Sequence, residues 1–276
     1  MSTIRIMTFN INGSMSEEED TNAWQKRAAL MVKTIKRHAP DLIGFQEVEI
    51  GNLEGYRQSL AEYSHVVGNK YDIEPYAGYT SIFWKSSRFE LLEAGEFWLS
   101  RTPDEPSSDW GVPYPLGATW VKLRDVASDV PLLHLNTHLE DGDEGELSRV
   151  EGSKLIVERI TQLQANHIPV VVTGDFNCNP DSLPHGIFME NGFTDTYLAG
   201  GNTDGKDSTF HGYEGEHYSA FHYSGGRNTF WRVDWILTRD GKQRIQTKSC
   251  MIVHDAEPPL YPSDHYPVVS EMMLVG

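Results

Sequence analysis

The chain is poor in cysteine and in positive charge. Its two cysteines, Cys178 and Cys250, make no metal-ligand spacing, so a reducing, cytoplasmic setting is expected. Its 23 Lys and Arg stand against 40 Asp and Glu, a formal net charge of −17. No Lys/Arg-rich run interrupts that acidic field. Such a field repels nucleic-acid backbones unless a local basic patch or a bound metal compensates. Duplex DNA is therefore a disfavoured partner, although nucleic acid as a class is not excluded. No apolar stretch approaches the roughly 18 residues of a membrane helix, so no membrane segment is expected. The opening MSTIRIMTFNI has no apolar h-region and enters a strand directly, so no signal peptide is expected. Repeats, flexible linkers and low-complexity tracts are absent as well. The organisation this implies is one globular domain over residues 1–276, acting as a monomer.

What is present is organised around Val170 to Pro180, VVVTGDFNCNP. Val170, Val171 and Val172 are apolar on both faces, the mark of a buried central strand. Gly174 breaks it, and Asp175 and Asn177 follow two apart, on one side of an extended chain. Asn179-Pro180 closes the element as a turn. A carboxylate and an amide at the end of a buried strand make a polar site on a rigid support. An Asx turn closing the strand is the plainer alternative.

Other strands end the same way. IRIMTF at 4–9 runs into Asn10, and LIGFQ at 42–46 into Glu47. Between them Asn22 is expected to cap a helix on which Trp24, Ala28, Met31 and Ile35 recur, with Pro40 as its stop. Residues 80–84 and 89–91 read as a hairpin joined by Lys85 to Arg88, and 95–99 continue the meander. A long loop, 101–117, holds Trp110 and Tyr114. Strands at 118–123 and 132–137 follow, the second ending in Asn136-Thr137-His138. Leu147 to Ala165 reads as an amphipathic helix with Leu147, Leu155, Ile156, Ile160 and Leu163 inward, and a short helix falls near 182–191. Residues 199–230 keep no period and read as a surface loop near the site. The strand Arg232 to Leu237 holds Asp234, and a buried acid needs a partner. Ser263-Asp264-His265 precedes the last strand, Val268 to Leu274.

Each polar strand end alone has a structural explanation. Together they form a set: Asn10, Glu47, His138, Asp175, Asn177, Asp234, Asp264 and His265. In sheet-based folds such ends converge on one edge. Four carboxylates, two amides and two histidines without a thiolate favour Mg²⁺, or Mn²⁺ as a substitute, over zinc. A hard divalent ion beside a His/Asp pair suits phosphoester hydrolysis.

The chain resembles the endonuclease/exonuclease/phosphatase superfamily, which includes pancreatic deoxyribonuclease, abasic-site endonucleases, neutral sphingomyelinases, inositol polyphosphate 5-phosphatases and deadenylases. The resemblance rests on TFNI, GFQEV, NTHL, TGDFN, RVDWI and SDHYPV in family order across nearly the whole chain. It implies a four-layer α/β sandwich, two packed mixed sheets flanked by helices. It also implies that Glu47 ligates Mg²⁺, that Asn10 supports metal or phosphate, and that Asp264 lies near the ion. Asp175 and Asn177 would position or activate the attacking water, His265 would pair with Asp234 and contact the scissile phosphate, and His138 would stabilise the transition state. Whether Asp175 or the His265–Asp234 pair is the base stays open.

Two positions depart from many bacterial relatives. Gly78 stands where they carry a glutamate, with Glu74 nearby, and Leu116-Gly117 stands where an arginine could grip a substrate phosphate. The leading expectation is a Mg²⁺-dependent phosphoesterase acting on a small or accessible phosphate ester. An endo- or exonuclease is the alternative, with aromatics at Trp110, Tyr114 and 221–231 available for stacking. A catalytically silent binding module of the same fold is the third reading.

Overall fold

The computed structural model describes residues 2–13, 21–73, 76–163, 167–204, 207–218 and 231–275. The acidic stretch 14–20, Glu74 and the aromatics within 221–230 lie outside the described residues. Among the described residues two mixed sheets stack face to face. The first contains β1 (Ser2–Asn10), β2 (Leu42–Val48), β3 (Tyr63–Val66), β4 (Lys70–Ile73), β5 (Tyr76–Lys85), β12 (Ile245–Ile252) and β13 (Val268–Leu274). Its order is β12-β13-β1-β2-β5-β3, with β4 also paired to β5. The second contains β6 (Phe89–Trp98), β7 (Gly117–Asp125), β8 (Val130–His138), β9 (Val170–Asp175), β10 (Thr194–Asp195) and β11 (Asp234–Arg239), in the order β10-β11-β9-β8-β7-β6. Helices α1 (Trp24–His38) and α2 (Ile50–Ser59) cover the first sheet, and α3 (Glu146–Gln162) and α4 (Leu183–Glu190) the second. The result is the four-layer α/β sandwich that the resemblance implied.

Strand periodicity explains both the layers and the site. On β1, Met7 and Phe9 pack with Met31 and Ile35 of α1, while Ile4 and Ile6 face the seam between the sheets. Asn10 shares the seam parity. On β9, Val170 and Val172 pack beneath α3, whereas Val171 faces the seam, and Thr173 and Asp175 follow it. His138 on β8 and Asp234 on β11 have the same seam parity as Leu132 and Ile236. Four separate strands thus deliver a polar side chain to one end of one seam.

The seam changes character along its length. Its far end is apolar, with Ile4, Leu42, Leu132 and Ile236. Nearer the site it becomes a buried polar network. Gln46 Nε2 donates to Asn136 Oδ1 at 2.7 Å and to Thr8 Oγ1 at 3.1 Å. Thr173 Oγ1 donates to the same Asn136 oxygen at 3.0 Å and lies 2.9 Å from His134 Nε2. The Asn136 amide donates to the carbonyls of Phe45 and Ser81 in the opposite sheet. Gly44 is obligatory here, because a Cβ would collide with Thr173 Oγ1 and Asn136 Oδ1.

Several expectations are corrected. β5 and β6 do not form a hairpin. The turn between them carries the chain from one sheet to the other, and β6, one strand rather than two, pairs with β7. Ala23, not Asn22, occupies the N-cap of α1, and the Asn22 carbonyl instead accepts a bond from Arg27 Nε. Leu147 is exposed, since α3 turns Ser148, Gly152, Ile156 and Ile160 inward. Asn177 does not continue the strand past Asp175. Its φ of +49° turns it into the loop, and its N–H donates to Asp175 Oδ1 at 2.9 Å, as in an Asx turn. Thr209 and His211 are buried rather than on a surface loop: Thr209 bonds the start of β11 at Asp234, and the His211 ring stacks on Tyr266 just before β13.

Candidate active site

Asp175 is the hub. It pairs with His138 across the parallel β8–β9 register and with Asp234 across the antiparallel β9–β11 register. Its Oδ2 accepts a hydrogen bond from Asn10 Nδ2 at 2.9 Å and lies 3.5 Å from His138 Nε2 and 3.7 Å from His265 Nε2. Its Oδ1 is taken by the Asn177 N–H, so Oδ2 is the oxygen shared by the site. Asn177 Nδ2 lies 3.2 Å from His138 Nε2 and donates to the Leu139 carbonyl at 2.8 Å. All eight residues singled out in the sequence border this one end of the seam.

Glu47 enters from the first sheet. It sits at φ +59° in a bulge between Phe45 and Val48, where the register to β5 shifts. A left-handed non-glycine residue stores roughly 1–3 kcal/mol that the surrounding structure must hold. Here the bulge aims the carboxylate at the site, where Oε1 accepts from Asn10 Nδ2 at 2.8 Å. Asn10 therefore bridges two carboxylates from different sheets, and its own Oδ1 accepts from the Asn12 N–H at 3.0 Å.

The last turn is tied to the first strand. Ser263 Oγ donates to the Asn10 carbonyl at 2.8 Å and sits 3.1 Å from Asp264 Oδ1. His265 follows, buried, with Nδ1 2.9 Å from Asp234 Oδ2. Thr209 Oγ1 accepts the N–H groups of Val233 and Asp234 at 2.9 and 3.1 Å, holding the start of β11.

Burial penalises charge throughout, and the neighbours decide the balance. Burial pushes the Glu47 carboxyl up and Asp264 adds to it, against the pull of His138 and Asn10. For His265 burial disfavours the charged ring, yet Asp234 and Asp175 outweigh it and hold its pKa well above the usual histidine value. Burial also raises Asp234, with His265 pulling the other way. Ligand atoms of Asp175, Asp234 and His265 lie within 4.8 Å of one another. Asp234 Oδ2 and His265 Nδ1 are already committed to each other, which makes that trio a hydrogen-bonded relay before it is a metal cage.

A cavity of about 500 Å³ opens over this cluster, its far wall made by Tyr114, Leu116, Leu139 and Glu140. Gly78 and Leu116, the two departures noted in the sequence, both line it. The Tyr114 hydroxyl donates to Glu140 Oε1 at 2.6 Å. Thr209 and Glu140 were not foreseen, for lack of any strand-end signal, and Ser263 was read only as part of the motif that carries Asp264 and His265. Arg27 was also missed. It is buried and donates to the carbonyls of Asn12, Gly13, Ile11 and Pro262, clamping the turn after Asn10 to the turn before His265. Its signal was an arginine lying on the apolar stripe of α1.

Buried Asp175 and Asp234, a His265 ring whose pKa they hold well above the usual value, and a cavity of about 500 Å³ meet at one end of the two-sheet seam. The Endonuclease/Exonuclease/phosphatase family model matches residues 7–265, so the chain belongs to that family. An endonuclease/exonuclease/phosphatase from Bacteroides vulgatus superposes with a TM-score of 0.84 at 28% identity, covering 99% of this chain and all (100%) of that one. The mannosyl-6-phosphatase of Bacteroides thetaiotaomicron shares the fold with a TM-score of 0.84 at 23% identity, over 98% of this chain and 100% of that one. A probable RNA exonuclease of Saccharomyces cerevisiae is 22% identical over 206 residues, 66% of this chain and 39% of the yeast protein. The chain thus spans well under half the length of that curated relative.

Proposed function

We propose that the chain is a phosphoric ester hydrolase that activates water for attack at phosphorus and uses Mg²⁺, with Mn²⁺ as a substitute. The observation that carries this reading is the sharing of Asp175 Oδ2 among Asn10, His138 and His265 at the floor of the cavity. Glu47 fits a hard ion: it is half-buried beside the Asp264 carboxylate, which raises its pKa further, and one amide hydrogen, from Asn10, is its side-chain donor. Glu47 and Asp264 would hold the ion, which supplies neutralisation of the phosphate charge. Asp175 orients the attacking water and takes its proton through Oδ2. Asn177 fixes the Asp175 carboxyl through its N–H, and Asn10 keeps Oδ2 aligned with Glu47. Asp234 holds the proton on His265 Nδ1, leaving Nε2–H to donate to the phosphate oxygen that gains charge. His138 provides a second donor on the opposite side of Asp175.

A small phosphate ester is the substrate class we favour, supported by the net charge of −17 and by the mannosyl-6-phosphatase neighbour. Nuclease action is the second reading, supported by Phe210, Tyr218 and Trp231 around the cavity and by the yeast relative. Initial rates on phosphate monoesters, diesters and oligonucleotides with Mg²⁺, Mn²⁺ or Ca²⁺ test both. Turnover of a monoester with Mg²⁺ and loss in chelator is the expected result. Tight duplex binding at about 150 mM salt, where the Debye length is about 8 Å, would reverse the preference for a small substrate.

A further inference from the structure

We propose that Tyr114 and Glu140 form a subsite for the alcohol half of the substrate, and that this half carries hydroxyl groups rather than a second phosphate. The inference rests on the phosphate-ester reading and deepens it. Glu140 lies two residues after His138, on the segment leaving β8, so a group it holds is fixed relative to the cluster at the floor. Arg149 Nη1 donates to the main-chain carbonyls of Glu140 and Gly142, both at 2.8 Å, which clamps that segment from behind. The guanidinium's hydrogen bonds go to the backbone, while its charge and that of His138 act on the Glu140 carboxyl through space.

Glu140 Oε1 accepts from Tyr114, and Oε2 has no partner among the described residues. Burial raises the Glu140 carboxyl, opposed by the Tyr114 hydrogen bond. A half-buried carboxylate with an open oxygen on a cavity wall accepts hydrogen bonds and repels anions. It cannot serve the scissile phosphate, which needs donors and positive charge. It does suit the hydroxyls of a small polyol or sugar. The Tyr114 ring and Leu116 beside it offer an apolar wall for the C–H face of such a molecule. A cavity of about 500 Å³ lies in the size range of small-molecule sites.

The test compares 4-nitrophenyl phosphate, hexose 6-phosphate and hexose 1,6-bisphosphate with Mg²⁺. The wild type is expected to prefer the hexose monophosphate over the bisphosphate in kcat/KM. Glu140→Gln and Tyr114→Phe should cost the hexose monophosphate about tenfold more than they cost the aryl phosphate, mostly in KM, as loss of a charge-assisted hydrogen bond does. Glu140→Lys should move the preference toward the bisphosphate. Equal losses on aryl and hexose substrates would overturn the subsite. Calorimetric binding of hexose 6-phosphate in chelator separates this inference from the hydrolase reading. Binding that weakens in Glu140→Gln supports the subsite even without turnover, and binding unchanged in that variant overturns it.

Discussion

Asp175 and Asp234 face each other as directly paired residues of antiparallel β9 and β11, and His265 bonds one and approaches the other. Two buried carboxylates in register would repel each other. The imidazole between them, held charged by both, relieves that repulsion.

The first prediction follows from that arrangement. Asp234→Asn and His265→Ala should each lower kcat by at least ~10²-fold while the fold persists. The double variant should be little worse than the worse single, because groups acting as a unit are non-additive. Steady-state kinetics of the four enzymes decide it, and multiplying losses would break the pairing.

The second concerns the metal. Glu47→Gln should weaken Mg²⁺ binding measured by calorimetry, and the wild type should lose activity in chelator and regain it with Mg²⁺ or Mn²⁺. Calorimetry reads the ion directly, so unchanged affinity in Glu47→Gln counts against Glu47 as a ligand whatever the activity.

The third concerns the seam. Gly44→Ala pushes a methyl into Thr173 and Asn136, between two sheets that meet through hydrogen bonds. Overpacking of this kind costs about 1–3 kcal/mol. Urea unfolding should show the loss, and a midpoint equal to wild type would mean that the sheets part freely at this point.

The fourth concerns acid. Burial lowers the His134 pKa to about 3 and the His211 pKa likewise to about 3, so the fold holds both rings neutral. A depressed histidine contributes stability that is fully present above its unfolded pKa of about 6.5. That contribution falls as pH drops, because the unfolded chain binds the proton first, with a slope of up to about 1.4 kcal/mol per pH unit per group. Unfolding midpoints between pH 7 and pH 4.5 should fall less steeply in His134→Gln than in wild type. Parallel curves would remove His134 from the account.

Much of the fold and site was legible because it was written at period two. The Val170 to Val172 run announced β9, and the polar residues ending β1, β8 and β9 announced the cluster. What was hidden depended on distance. α2 carries two glycines and little apolar stripe, and its start is set by the reciprocal bonds of Glu49 and Asn52. The β5–β6 turn looks like any hairpin turn, since nothing local says that the next strand joins the other sheet. Tyr114 and Glu140 come from two loops whose meeting only the folded chain reveals.

The bond from Ser263 to the Asn10 carbonyl joins positions 253 apart. β1 pairs with β2 early in the chain, but its other edge waits for β13. On a ribosome adding about 5–20 residues per second, that edge stands open for on the order of tens of seconds. An uncovered strand edge is where nascent chains pair wrongly. Catalytic competence should accordingly be the last property a refolding or newly made molecule acquires, after its secondary structure and most of its core.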